Sequence, residues 1–150
     1  MRTRPIGNPG TERAVLAPRI GAVVLDHVLT FLLTIAVGSI LAVGVRWIPG
    51  TGGITDLTVF YVTAIPVTLG YFIVLEGVYG QTIGKRGANI VVTSHDGSEI
   101  TFRQAIVRNV FRPVDGLLWY GVGLLAMFSN DERKRLGDVV ARTVVVEVDR

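Results

Sequence analysis

The sequence predicts an all-α membrane protein: two or three transmembrane helices with a small cytoplasmic β-hairpin and a basic amphipathic helix. Three observations carry this. From Ile20 to Val45 the chain reads IGAVVLDHVLTFLLTIAVGSILAVGV, about 39 Å as a helix against a hydrocarbon core of roughly 30 Å. Thr58 to Leu75 is a second uncharged run of spanning length. Hydrophobic residues make up 49% of the chain's 150, leaving little for a separate soluble core.

Each element follows in order. Residues 1–18 hold prolines, glycines and scattered arginines, and read as a flexible cytoplasmic tail before a membrane domain over residues 19–148. The first apolar run is too long for a signal-peptide core and contains Asp26, so it reads as a retained helix. Trp47 beside Arg46 suits an interfacial anchor, and Pro49, Gly50, Gly52 and Gly53 make an external turn. The second helix carries Pro66, which predicts a kink, and ends near Glu76. Ile90–Thr93, the turn pair Asp96-Gly97 and Ile100-Thr101 predict a hairpin. Thr101-x-x-Gln104 matches a capping box and opens a short helix stopped by Pro113. Phe102, Ile106 and Val110 share one side of it, Arg108 and Arg112 another, which predicts a helix lying on the cytoplasmic leaflet.

The third apolar run, Gly116 to Ser129, is about 14 residues, a length at which a re-entrant segment competes with a span. Three spans put the C-terminus outside, yet Arg133, Lys134, Arg135 and Arg142 follow the run. Two spans with a re-entrant third segment keep those residues inside and let Val144–Val148 pair with Ile90–Thr93. Three hydrophobic segments, the third imperfectly spanning, is the reading slightly favoured.

The net charge is +3 and the isoelectric point about 9.7. The basic residues flank apolar segments instead of forming one patch, which argues against a nucleic-acid partner. Their distribution predicts a multi-pass protein of the cell membrane with a cytoplasmic N-terminus and an external Arg46–Leu57 turn. Without cysteine there are no disulfides, thiolate metal sites or thiol chemistry.

Asp26 is the residue that asks for an explanation, because a carboxylate at membrane depth costs several kcal/mol even on lenient scales. Arg19, seven residues earlier, lies only about 20° round the helix from it, and Thr30 and Thr34 extend the stripe at roughly 40° and 80°. An ion site and a structural packing role weigh about evenly for Asp26. His27 lies about 100° away and is a weaker candidate. Glu76 and Asp115 read first as interface residues. Gly80–Lys85, GQTIGK, has the wrong spacing for a phosphate loop and reads as a tight connection. No catalytic set, metal cluster or cofactor site can be read from spacing, so an enzyme is not expected.

Together the pieces resemble the RDD family, small prokaryotic membrane proteins named for one arginine and two aspartates. The resemblance runs through Ala17-Pro18-Arg19, Asp26, Glu76, Gly80–Arg86, Asp96-Gly97, Val107-Arg108-Asn109, Arg135–Asp138 and Ala141–Val145. It implies that Arg19 and Asp26 are the first two letters, and that Asp138, with Asp115 as competitor, is the third. Gly87, Ala88 and Asn89 depart from the family's usual residues, as does Arg142. The resemblance implies a fold more than an activity.

Two functions are therefore expected. The first is a transport-related protein for a cation or proton, in which Asp26 binds the ion, Arg19 sets its charge, and Thr30, Asp138 and Asp115 complete the site. Such a short chain would act with the bilayer around it as a homo-oligomer or beside a membrane partner subunit, its polar stripe facing the second copy. The second is a non-transporting accessory or scaffold subunit that recruits a cytoplasmic partner.

Overall fold

A computed structural model describes residues 4–115, Phe128 and 134–149, excepting the side chains of Val114 and Asp115. The third apolar run, but for Phe128, and the Asp115 side chain lie outside the described residues. The elements are strand β1 (Gly7–Asn8), helices α1 (Leu16–Arg46), α2 (Asp56–Tyr79) and α3 (Ile83–Gly87), and strand β2 (Ile90–Ser94). Helices α4 (Phe102–Val110), α5 (Arg112–Asp115) and α6 (Leu136–Ala141) follow, then strand β3 (Thr143–Val148).

Helices α1 and α2 are both long and apolar enough to cross a membrane. Pro18 falls in the first turn of α1, where its missing N–H costs nothing. Thr55 caps α2, its hydroxyl accepting from the Thr58 N–H at 3.2 Å. The two helices pack through a narrow stripe of α1: Arg19, Ala22, Asp26, Thr30, Thr34, Gly38 and Ala42 are its buried residues. At Gly38 the α2 backbone at Phe60 comes so near that a Cβ would be in van der Waals contact, the close approach that small residues give membrane helices. The rest of α1 presents exposed Val, Leu, Ile and Phe side chains. The polar stripe thus faces α2 of the same chain, correcting the expectation that it would face a second copy.

Helix α2 closes at Gly80, whose φ of 70° lies in the left-handed region, with its N–H donating to the Glu76 carbonyl. The chain then turns into α3. Thr82 caps it, accepting from the Lys85 N–H at 3.2 Å, and α3 lies directly on α1. A Cβ at Gly84 would run into the Ala22 carbonyl and would come within 2.8 Å of the Asp26 carboxyl. GQTIGK is therefore a docking turn, whose second glycine admits the α1 backbone.

The base of the molecule is a three-stranded antiparallel sheet with β3 in the centre. Val91 pairs with Val146 and Val92 with Val145; Gly7 and Asn8 pair with Val148 and Glu147. One face packs Ile90, Val92 and Val145 on Val15, Ala22, Ile100 and Ala105. The hairpin expected around Asp96-Gly97 is rudimentary: the returning chain makes one isolated bridge, Thr93 with Glu99, and β3 supplies the main pairing. The expected free tail is corrected too. Residues 4–15 are held against the base, because β3 needs a partner on its second edge and Arg4 donates to the carbonyls of Gly77 and Ile100, both at 2.8 Å.

The Gly84 contact yields a test. Gly84→Ala places a methyl group against backbone, which yields less readily than a side chain. It should destabilise the protein by on the order of 2 kcal/mol or more, measured as a lowered melting temperature in detergent.

Candidate functional site

The charged side chains that sequence reading scattered along the chain converge where α1, α2, α3, α4 and α6 meet. Asp26 is fully buried. Its Oδ1 accepts from the Tyr71 hydroxyl and the Gly84 N–H, each at 2.8 Å, and its Oδ2 from the Thr82 hydroxyl at 2.6 Å. One carboxylate thereby ties α1 to α2 and to the start of α3. Thr30, expected as a ligand, instead donates to the His27 carbonyl at 3.2 Å, and Thr34 to the Thr30 carbonyl at 2.8 Å. His27 Nδ1 lies 2.7 Å from the Val23 carbonyl, within its own helix.

Arg19 is directed to Asp138, not to its neighbour on the stripe: Nη2 lies 2.5 Å from Asp138 Oδ2. Asp138 occupies the third position of α6, where it also accepts from the Arg135 N–H at 3.3 Å, so it stabilises the start of that helix. Arg108 Nη2 lies 3.0 Å from Asp138 Oδ1, while Arg108 Nε lies 3.1 Å from Glu76 Oε2. This guanidinium joins the last turn of α2 to the first turn of α6. Glu76 also meets Lys85 Nζ at 2.5 Å and accepts from Asn109 Nδ2 at 2.7 Å. Arg112 donates through Nε to Asn109 Oδ1 at 3.1 Å and lays its guanidinium 3.2 Å from the Phe72 ring centre, a cation–π contact.

Burial alone would raise the Asp138 carboxyl, but the guanidinium groups of Arg108, Arg19 and Arg135 outweigh it and hold Asp138 well below the usual carboxylate range. Burial pushes the Lys85 ammonium down to about 7, against the raising influence of Glu76. The cluster is an ion network. Among the described residues no group of three His, Cys, Asp or Glu side chains lies close enough to hold a metal.

A family model for the RDD family matches residues 13–142. The chain belongs to the RDD family. Neither a curated protein nor a solved structure matches it. Family membership and the two apolar helices make it a membrane protein. Of the family-implied residues, the structure brings Arg19 and Asp138 into contact and gives Asp26 its own partners beside them.

Sequence reasoning missed Tyr71, Thr82 and Lys85 as partners, and read Glu76 as an interface residue. It also placed Arg108 and Arg112 toward lipid headgroups; both are buried, facing the network. The signal was present in the amphipathic pattern of α4, whose basic side turns inward to Glu76 and Asp138.

The network yields a second test. Asp138→Asn leaves three guanidinium groups facing an amide and should destabilise by about 3–5 kcal/mol. Because the folded carboxyl titrates below its unfolded value of about 3.9, its stabilisation is fully present above that pH. It is lost as pH falls through the lower folded value. A melting-temperature profile between pH 2 and 7 should show this acid limb in the parent and lack its Asp138 contribution in Asp138→Asn.

Proposed function

We propose that this RDD protein is a non-transporting scaffold subunit of the cell membrane, whose named arginine and aspartates lock two spans to a rigid cytoplasmic base that recruits a partner. The observation that carries this reading is that both Asp26 oxygens are occupied by donors of the same chain, leaving that carboxylate in a joint and not in a pathway. The polar stripe of α1 is likewise covered by α2.

The sheet supports a topology. Residues 7–8, 90–94 and 143–148 share it and so share one side of the bilayer. Helices α1 and α2 cross and return. Between β2 and β3 the chain crosses either not at all or an even number of times, and two crossings need about 40 residues. We therefore read the protein with two spans, α1 and α2. Arg4, Arg13, Arg86 and Arg103 at the base against Arg46 at the far turn make the base cytoplasmic.

A second reading, cation or proton transport by an oligomer, draws on Lys85, whose ammonium burial pushes down to about 7 and which touches Glu76. It requires copies to pack through the exposed apolar faces of α1 and α2.

Asp26→Asn separates the two. Thr82 can turn its hydroxyl from donor to acceptor, so an amide whose nitrogen faces Thr82 keeps all three contacts. On the scaffold reading Asp26→Asn costs about 1 kcal/mol, whereas Asp26→Leu orphans the buried Thr82 and Gly84 donors at about 1–3 kcal/mol each, and the half-buried Tyr71 hydroxyl besides. Reconstituted vesicles should show no cation or proton flux in the parent. Flux that collapses in Asp26→Asn would sink the scaffold reading. For topology, single cysteines at Ser98 and Asp149 should label from the cytoplasmic side and one at Thr51 from outside; opposite sides for Ser98 and Asp149 would restore a third span.

A further inference from the structure

The short helices of the base are inside out. On α4, Arg108 and Asn109 are wholly buried, while Phe102, Ile106 and Val110 are 48%, 40% and 54% exposed. On α6, Asp138 is buried and Val139 and Val140 are 55% and 52% exposed. On α3, Lys85 is buried and Ile83 is 53% exposed. A helix resting on a protein core in water does the reverse, burying its apolar stripe and exposing its charges. The exposed apolar face also continues the surface of α2. The Phe102 ring lies on Gly77 so closely that a Cβ there would collide with it, and Val74 and Val78 beside Gly77 on α2 are exposed as well. Arg103 and Arg86, the exposed basic residues of α4 and α3, have stems long enough to reach headgroups from an apolar setting.

We infer that α3, α4 and α6 are immersed in the acyl region of the bilayer leaflet next to the base, their outward faces covered by lipid chains, so that the Glu76–Arg108–Asp138 network sits below the headgroups and not in the aqueous phase. Lipid is the occupant because the face is a continuation of the span surface, and because three separate helices reverse their polarity in the same sense. The ion network is then the interior of a membrane domain wider than its two spans. In that setting its charges must answer one another, since water is absent on the outer side as well.

The inference rests on membrane insertion of the spans, and the test keeps the two apart. The chain has no cysteine, so single spin labels go in cleanly at exposed sites. Ile106→Cys and Val139→Cys report on the base, Val62→Cys on the exposed face of α2 in its first half, and Asp96→Cys on the aqueous turn. In liposomes holding the full chain, collision with dissolved oxygen, which concentrates in lipid, is compared with collision with a water-soluble nickel chelate. Labels at Ile106 and Val139 should behave like Val62, favouring oxygen several-fold, while Asp96 favours nickel. Nickel access at Ile106 and Val139 equal to that at Asp96 would overturn the inference and leave a water-facing base. Exclusion of both reagents there would also overturn it, because protein would be the cover. A water-like signal at Val62 would instead count against insertion of the spans. Two labelled sites guard against one variant that fails to fold.

Discussion

A guanidinium with no exposure to solvent dictates much of this architecture. Arg108 has to be answered by carboxylates, and the two that answer it come from either side of it in the chain, Glu76 on α2 and Asp138 on α6. Meeting both fixes how α4 is rolled, which sends Phe102, Ile106 and Val110 outward. It also fixes where α6 begins and hence where β3 enters the sheet. Removing one carboxylate would leave a buried charge uncompensated, which costs more than the intact ion pair contributes.

The family's letters acquire separate physical tasks. Arg19 and Asp138 form a long-range clasp between the first turns of α1 and α6. Asp26 closes a different joint, where α3 lies on α1 and needs an acceptor for its free N-terminal N–H groups. Both joints lie at the base end of the spans, where a polar contact is protected from water and must be complete to be tolerable. The ion pair at the far turn, by contrast, is the exposed Arg46–Asp56 pair, the kind that adds little.

Local signals made the spans, the Thr101–Gln104 cap and the strand Ile90–Ser94 legible in the sequence, because length, turn chemistry and β-branching are near-neighbour properties. The stripe of α1 was legible as well, since helical spacing alone aligns Arg19, Asp26, Thr30 and Thr34. What faces that stripe was not: periodicity gives a direction and no partner, so α2 could not be told from a second copy. The basic side of α4 was misread for a related reason: Arg108 turns not to headgroups but to the charges waiting on Glu76 and Asp138. The N-terminal residues looked free because Gly7 and Asn8 carry no strand signal; they are recruited by an open edge of β3.

The placement of β3 has a consequence for how the molecule comes into being. It is the last strand in chain order and the central one, and β1 and β2 each hydrogen-bond to it. Until Thr143–Val148 is available, neither earlier strand has its sheet partner. Strand β3 follows both spans in the chain, and closure of the base waits on contacts of long sequence separation, which form slowly. A chain halted before β3 would leave β1 and β2 without the strand that joins them, and so a base that cannot close.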